Sequence, residues 1–159
     1  MKTPLYDSSL CFDSPIGKIT VRANQNKITE VTISDGETFG ESKILNKAKK
    51  QLLKMLDGKA VTFDLDYELA GTDFQLAVWN AIAKVPFGET TTYSELAIQA
   101  GNPKAVRAVG GAVGANPIPL IFGCHRVLGA NDKITGYSGG SGLATKRQLL
   151  AIEKISYRE

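Results

Sequence analysis

The sequence predicts an α/β protein in which a small N-terminal α/β domain precedes a mainly helical C-terminal domain with a helix-turn-helix. Two observations predict this order. Segments of alternating polarity, typical of half-buried strands, are concentrated before residue 70. After residue 70, apolar residues recur at helical spacing and capping-box patterns mark helix starts. We therefore predict a supporting domain over residues 1–70 and a second domain over residues 71–159.

Short strands and one helix account for the first domain. The alternating segments are Leu10–Phe12, Ile19–Ala23, Thr29–Ile33 and, after the helix, Val61–Tyr67. A helix is predicted over Glu41–Asp57, because its apolar residues recur at helical spacing and Gly58 is a typical helix terminator. Cys11 lies in an apolar strand, so we expect a core thiol. Nothing in this domain suggests chemistry.

The second domain opens with a helix. Thr72 and Gln75 form a capping box, and the apolar pattern continues to Val85, just before Pro86-Phe87-Gly88. Trp79 lies on this helix and is expected in the core.

Two further short helices predict the helix-turn-helix. Thr92 and Glu95 open the first helix, and Gly101 ends it. Asn102-Pro103 predicts that the next helix starts at once, with Asn as the cap and Pro at the first position. DNA binding and plain helix packing are both compatible with such a pair.

The second of these helices is rich in glycine. Gly110, Gly111 and Gly114 weaken a helix by about 1 kcal/mol each relative to alanine. We expect that cost where a phosphate backbone or another loop must approach closely. The predicted buried stripe consists of Val106, Val109 and Val113.

Composition places the chain among ordinary globular proteins. The chain has 159 residues, 43% hydrophobic and 22% charged, with a net charge of +3 that permits nucleic-acid binding without requiring it. Two cysteines and one histidine exclude a disulfide framework and argue against a Cys/His zinc site. Met1–Phe12 lacks a long apolar segment, so we expect no signal peptide, no membrane span and a cytoplasmic location.

One dipeptide offers a reactive group. Cys124 is followed by His125, the single histidine, and then by Arg126. An imidazole that takes the thiol proton, directly or through a water, would create a thiolate nucleophile, and a neighbouring cation would favour the charged sulfur. A buried cysteine beside a surface histidine is the alternative interpretation of the dipeptide alone.

The flanking residues favour a pocket. Asn116-Pro117-Ile118-Pro119 precedes the cysteine and predicts a rigid, irregular approach. Several glycines follow it, at positions 136, 139, 140 and 142, and permit close approach of a ligand or backbone.

These motifs resemble the active-site segment of the O6-alkylguanine-DNA alkyltransferases. The resemblance includes Cys124-His125-Arg126-Val127, the approach Asn116–Pro119, the run Gly136–Gly140, and Leu149-Leu150 with Glu153. It covers most of the second half of the chain and is specific, whereas the first half matches loosely. The family usually has proline where this chain has Gly123.

The resemblance implies a fold and a reaction. The expected architecture is an RNase H-like N-terminal domain followed by a winged-helix-like C-terminal domain. The expected activity is direct reversal of DNA damage, in which an O6-alkylated guanine is flipped out of the duplex and its alkyl group moves irreversibly to Cys124. The protein is then consumed after one turnover. No metal or cofactor takes part.

The resemblance also implies roles for individual residues. His125 withdraws the thiol proton through a water, and Glu153 orients His125. Tyr93 rotates the target phosphate and donates a hydrogen bond to the departing guanine. Asn116 braces the active-site turn. Residues expected to contact DNA are Arg107, which replaces the flipped base, together with Tyr93, Thr92, Lys104 and Arg126. Residues expected around the base are Tyr137, Ser138, Val127 and Gly139.

Each role has a simpler alternative. Glu153 could be a solvated carboxylate, Tyr93 a packing residue, and Arg107 an ordinary phosphate contact.

The expected partner is double-stranded DNA carrying O6-alkylguanine, with O4-alkylthymine as a further candidate, and we expect a monomer. A non-enzymatic lesion sensor is the main alternative, although such proteins usually replace the cysteine that is present here. A helix-turn-helix regulator and a cysteine hydrolase fit the motifs less well.

Overall fold

A computed structural model describes residues 5–159 of the chain, so the first four residues of the segment Met1–Phe12 lie outside it. The N-terminal half of the described residues contains an antiparallel sheet in the order β1-β2-β3. The strands are β1 (Ser8–Phe12), β2 (Ile19–Asn24) and β3 (Lys27–Thr32). Gln25 and Asn26 join β2 to β3 with φ of 49° and 63°, the left-handed conformation that a tight hairpin requires. The three predicted N-terminal strands are confirmed.

Helix α1 (Lys43–Leu56) packs its apolar face against this sheet. Its buried residues are Ile44, Leu45, Ala48, Leu52, Met55 and Leu56, which follow the predicted helical spacing. Gly58 follows the helix with φ of 83°, which confirms its predicted role as terminator.

The predicted strand over Val61–Tyr67 is wrong. The segment forms a single bridge to β3, in which Ile28 donates to the Asp66 carbonyl and accepts from the Glu68 amide. Asp64 is instead held from α1, by Gln51 and by Lys47 at 3.0 Å. The alternating polarity therefore reflects a loop with one face against the protein, because that face excludes water without a strand ladder.

The C-terminal half contains four helices: α2 (Asp73–Ala83), α3 (Tyr93–Gln99), α4 (Val106–Gly114) and α5 (Leu143–Ile152). Two short strands, β4 (Thr91–Thr92) and β5 (Val127–Leu128), pair in parallel. The capping box that opens α2 is confirmed, since Thr72 and Gln75 exchange hydrogen bonds of 3.1 and 3.0 Å. The helix ends two residues earlier than predicted.

The predicted start of α4 is wrong. Asn102-Pro103 forms a turn in which the Asn102 carbonyl accepts from the Ala105 amide at 3.0 Å, and the helix begins only at Val106. A proline is equally suited to the second position of a turn, so the motif did not distinguish the two structures. Val106 is exposed, and the buried residues of α4 are Val109, Ala112 and Val113.

One hydrophobic core connects both halves of the described chain. Trp79 is buried there, as predicted, and its indole donates to the Ala112 carbonyl at 2.8 Å. Cys11, by contrast, is only half-buried and lies beside Asp35, so the expectation of a core thiol is wrong. No helix within residues 5–159 has the length and apolar character needed to span a membrane.

Candidate active site

A braced loop carries the chain from α4 to Cys124. The Asn116 side chain accepts from the Ile118 amide at 3.0 Å and donates to the Phe122 carbonyl at 2.9 Å. Leu120 lies between them with φ of 77°, a conformation that costs a residue with a side chain about 1 kcal/mol or more. The loop leads into a 3₁₀-helical turn, Cys124–Arg126. The position of the sulfur is therefore fixed by side-chain bonds as well as by packing.

The sulfur of Cys124 is deeply buried, and the residue is 6% exposed. Burial raises the pKa of the Cys124 thiol, and the neighbouring Asn116, Tyr137 and Lys146 offset only part of that effect. At neutral pH the resting sulfur is a thiol, so its chemistry requires a base.

His125 is completely buried beside Glu153. Its Nε2 contacts one carboxylate oxygen of Glu153, while Nδ1 has no hydrogen-bond partner among residues 5–159. Burial lowers the pKa of His125 below its usual value, against the opposing effect of Glu153. The ring is therefore neutral, with its proton on the nitrogen that faces the carboxylate and its lone pair on Nδ1.

Glu153 follows α5 and is held from several sides. Its carboxylate accepts from Nε of Arg126 at 2.8 Å and Nη2 of Arg126 at 3.1 Å, and from the Gly88 amide at 2.9 Å. Burial by itself would raise the pKa of Glu153, but His125 and Arg126 outweigh it and lower the pKa to about 2. Glu153 is thus a permanently charged partner of the histidine.

Arg126 is buried, and the expectation that it contacts DNA is wrong. Besides its bonds to Glu153, its guanidinium donates to the Val85 carbonyl at 2.9 Å and lies 3.8 Å from the Met55 sulfur. Because the side chain is only 7% exposed, it is not placed to bind a DNA phosphate. Its charge is matched by Glu153, and the side chains that favour the Cys124 thiolate are Asn116, Tyr137 and Lys146.

Two cavities open onto Cys124. One of about 270 Å³ is lined by Tyr93, Gly110, Val113, Gly114, Cys124, Gly136, Tyr137 and Ser138. We call this the helix-side cavity, because α4 forms one wall. The other, of about 360 Å³, is lined by Val31–Ser34, Val113, Asn116, Pro119, Cys124 and Tyr137–Gly140. We call this the sheet-side cavity, since the end of β3 forms one wall. The N-terminal half therefore reaches the reactive sulfur, which the sequence did not predict.

The loop after Thr135 separates the two cavities. Tyr137 and Ser138 line both, and Gly139 lines the sheet-side cavity. A Cβ at Gly139 would lie 2.9 Å from the Tyr137 ring, so glycine allows the ring to fold back toward the sulfur. Val127 is absent from both walls because its side chain is fully buried and its carbonyl accepts from Lys146 at 2.7 Å. The expectation that Val127 lines the base pocket is therefore wrong.

Comparison with known proteins agrees with this geometry. Residues 73–155 match the family model described as the DNA binding domain of 6-O-methylguanine DNA methyltransferase. A methylated-DNA–protein-cysteine methyltransferase of Methanosarcina barkeri is 40% identical over 154 residues, which cover 92% of this chain and 96% of that protein. The protein of the same name from Mycobacterium tuberculosis is 42% identical over 150 residues, 89% of each chain. This chain belongs to the methylated-DNA–protein-cysteine methyltransferase family.

Solved structures extend the agreement to the whole fold. The Mycobacterium tuberculosis methyltransferase crystallised in complex with DNA matches with a TM-score of 0.81 at 41% identity, over 92% of both chains. The Pyrococcus kodakaraensis methyltransferase is more distant, with a TM-score of 0.51 at 22% identity, and shows the fold alone.

In this methyltransferase, the residues expected to meet DNA lie around α3 and α4. Thr92 caps α3 by accepting from the Glu95 amide at 3.2 Å, and Tyr93 begins that helix. Lys104 and Arg107 are both exposed, one in the turn before α4 and the other in its first turn. Tyr93 alone among these residues also lines the helix-side cavity.

Sequence reasoning missed two side chains beside the methyltransferase site, Lys146 and Thr135. Lys146 is 1% exposed, and its ammonium donates to the Val127 carbonyl and to Thr135 Oγ1 at 3.2 Å. Burial lowers the pKa of Lys146 to about 8, against the opposing influence of Cys124. The sequence carried one signal for it, since Lys146 shares a helix face with Leu149, Leu150 and Glu153.

Proposed function

We propose that this chain repairs DNA by moving an alkyl group from O6 of guanine to Sγ of Cys124. One arrangement carries the proposal: a buried thiol with a neutral histidine beside it, an anchored carboxylate behind the histidine, and cavities on both sides of the sulfur. This is the order of nucleophile, base and orienting group that covalent catalysis uses. The family to which the chain belongs supports the same reaction.

The proton chemistry follows from the tautomer of His125. Because Nε2 faces Glu153, Nδ1 is the nitrogen that receives the thiol proton, through one water. The sulfur then attacks the alkyl carbon, and the carbon–oxygen bond breaks with its electron pair left on the guanine. Tyr93 donates a proton to the departing base. The resulting thioether is stable, so each molecule accepts one group.

Tyr137, Ser138 and Asn116 complete the proposed site. Tyr137 covers the sulfur and separates the two cavities. Ser138 is exposed and lines both cavities, where it would contact the O6 atom. Asn116 holds the approach loop through its two backbone bonds. In this arrangement the guanine occupies the helix-side cavity, which Tyr93 and α4 line.

Access to a base inside a duplex requires its extrusion from the stack, at a cost of a few kcal/mol. We propose that α3 and α4 contact the DNA, that Lys104 and Thr92 bind phosphates, and that Arg107 fills the space left by the base. Phosphate contacts would then supply most of the affinity, with little sequence preference. Double-stranded DNA carrying O6-alkylguanine is the proposed substrate, with O4-alkylthymine as a second candidate.

Arg107→Ala tests the flipping role, and Lys104→Ala is its matched control. Arg107→Ala is expected to slow transfer from duplex DNA about tenfold or more while leaving the reaction with free O6-methylguanine unchanged. Lys104→Ala is expected to weaken binding equally to damaged and undamaged duplexes. Equal losses on duplex and free base for Arg107→Ala would contradict base replacement.

We also propose the finer architecture that the family resemblance implies. The chain divides near residue 70 into an RNase H-like supporting domain and a winged-helix-like domain, a division supported by the family match that begins at residue 73. The antiparallel sheet with α1 and the helix pair with the β4–β5 strands are compatible with these descriptions. A monomer that works in the reducing cytoplasm suits a free reactive thiol.

The deciding experiment is the intact mass of the protein after reaction with a duplex that carries one O6-methylguanine. The wild-type chain is expected to gain one methylene, Cys124→Ser to gain nothing, and Cys11→Ser to behave as wild type. Cys11 is the matched control because it is the only other cysteine of the chain. Binding without any gain in mass would instead support the lesion-sensor alternative.

A further inference from the structure

A hydrogen-bonded chain of three side chains ends at the helix-side cavity. Lys146 Nζ donates to Thr135 Oγ1 at 3.2 Å, and Thr135 Oγ1 lies 2.8 Å from the hydroxyl of Tyr93. Tyr93 lines the cavity, whereas Thr135 and Lys146 line neither cavity. These hydrogen bonds therefore connect a buried ammonium group to the Tyr93 hydroxyl at the wall of the proposed base site.

Local structure fixes the middle member of this chain. A Cβ at Gly129 would lie 3.0 Å from the Thr135 methyl group, which shows that this methyl packs against the glycine backbone. The segment before Thr135 is anchored by bonds from the Gly129 amide to the Lys133 carbonyl at 2.8 Å and from the Ile134 amide to the Arg158 carbonyl at 2.7 Å. With the methyl group held on one side, the hydroxyl is directed toward Tyr93 and Lys146.

The hydrogen bonds that connect Lys146, Thr135 and Tyr93 have a preferred donor-to-acceptor direction. An ammonium group can only donate, so Thr135 accepts from Lys146. An oxygen that accepts from a cation becomes a stronger donor, which favours donation from Thr135 to the Tyr93 oxygen. The Tyr93 hydroxyl then keeps its own proton free for the cavity.

We infer that Thr135 is a positioning residue that relays a proton from Lys146 to Tyr93 while Tyr93 protonates the departing guanine. This inference rests on the proposed alkyl transfer. As the alkyl carbon–O6 bond breaks, its electron pair stays on the guanine and the Tyr93 proton moves to a ring nitrogen. The Thr135 proton moves to the Tyr93 oxygen, and a Lys146 ammonium proton moves to the Thr135 oxygen. Guanine leaves neutral, and the amine of Lys146 regains a proton from solvent.

The acidity of Lys146 suits this task. Burial lowers the pKa of Lys146 to about 8, so the group is mainly protonated at neutral pH yet gives up a proton more readily than an exposed lysine. The two bonds of its ammonium group, to the Val127 carbonyl and to Thr135, hold that proton in line with the relay.

The test compares variants that keep or remove the hydroxyl. Single-turnover transfer from an O6-methylguanine duplex, at saturating protein, is measured for wild type, Thr135→Ser and Thr135→Val. Removal of an assisted proton transfer by Thr135→Val is expected to slow transfer about ten- to hundredfold with unchanged DNA affinity, whereas Thr135→Ser stays within about threefold of wild type. Equal transfer rates for Thr135→Val and wild type would overturn the relay. Equal losses of transfer rate in Thr135→Val and Thr135→Ser would also overturn it.

A double-mutant cycle with Tyr93→Phe separates the relay from a structural effect. If Thr135 acts through Tyr93, Thr135→Val causes no further loss when Tyr93 is already phenylalanine. Multiplying losses would show that Thr135 acts independently and would overturn the relay. Should Thr135→Val fail to fold by thermal unfolding, Thr135→Ala against Thr135→Ser makes the same comparison. No transfer by the wild-type chain would refute the proposed function itself, which is a distinct result.

Discussion

Glu153 contacts Nε2 of His125, which leaves Nδ1 of the same ring without a protein partner among residues 5–159. The carboxylate therefore selects the tautomer in which Nδ1 can accept a proton. The same carboxylate holds Arg126 through two bonds, so a single acidic side chain fixes both residues that follow Cys124.

Glu153→Gln is expected to lower both the rate and the stability. The variant leaves the buried guanidinium of Arg126 without a counter-charge, and loss of one partner of a buried pair costs about 3–5 kcal/mol. Transfer is expected to slow about a hundredfold or more, because His125 loses its fixed tautomer. Denaturant unfolding and single-turnover kinetics measure the two effects. Glu159→Gln is the control, since its pair with Arg147 is exposed and its loss is expected to leave stability nearly unchanged.

Gly110→Ala is expected to stabilise the protein and impair repair. No atom lies within 4 Å of the added methyl group, so α4 gains about 1 kcal/mol from the higher helix propensity of alanine. The methyl group enters the helix-side cavity, and the reaction with free O6-methylguanine is expected to slow. Gly111→Ala is the matched control, because Gly111 also has open space around it but lines neither the helix-side nor the sheet-side cavity. Equal rates for the two variants would exclude this cavity as the base site.

Gly123 determines how closely Arg126 can pack. A Cβ at this position would lie 2.8 Å from Nη1 of Arg126 and 3.0 Å from its Cζ, although the φ of −72° suits proline. Since the guanidinium is held by Glu153 and Val85, we expect both Gly123→Ala and Gly123→Pro to cost about 1–3 kcal/mol through overpacking.

A double-mutant cycle with Arg126→Lys checks this explanation. Removal of the guanidinium removes the atoms nearest to the added carbon, so Gly123→Ala is expected to cost less in that background. Additive losses in free energy of unfolding would show that the contact is not the cause. The transfer rates of the Gly123 variants are measured in parallel with methyl and benzyl adducts of O6-guanine. A shift of the turn Cys124–Arg126 would move the Cys124 sulfur and so change the preference between the two adducts.

Acid is expected to destabilise the protein in two steps. The folded pKa of His125 lies below its unfolded value of about 6.5, so its contribution to stability is present above that pH and is lost as the pH falls. The folded pKa of Glu153 is about 2 against an ordinary value of 4.5, which is worth on the order of 3 kcal/mol and is lost below pH 4.5. Urea unfolding between pH 7 and 3 measures both steps. His125→Asn is expected to abolish the first step and to reduce the second, because His125 contributes to the lowered pKa of Glu153. An unchanged profile would contradict the assignment.

Local patterns were sufficient for much of the fold. The N-terminal strands, α1, α2 and α3 follow from periodicity and caps, since those signals depend on residues close in sequence. The pattern over residues 61–67 and the Asn102-Pro103 motif each permit two structures, and only tertiary contacts decide between them.

The candidate site was predictable in its chemistry but less so in its contacts. Cys124 and His125 are adjacent in sequence, so their pairing required no fold. Arg126 looked available to DNA because nothing local shows that Glu153 is brought against it from the end of α5. Thr135 and Lys146 were missed for the same reason, as their roles depend on the approach of Tyr93 from another helix.

Contacts between the N-terminal and C-terminal halves limit how the alkyl-acceptor site around Cys124 can be grafted onto other proteins. The Val31 amide donates to the Pro117 carbonyl at 2.9 Å, and Met55 lies against the Arg126 guanidinium. A graft of the C-terminal half alone onto a foreign partner would expose the back of the nucleophile turn and remove one cavity wall. Self-labelling tags designed on this scaffold therefore need the entire chain, with fusion points at its ends rather than near residue 70.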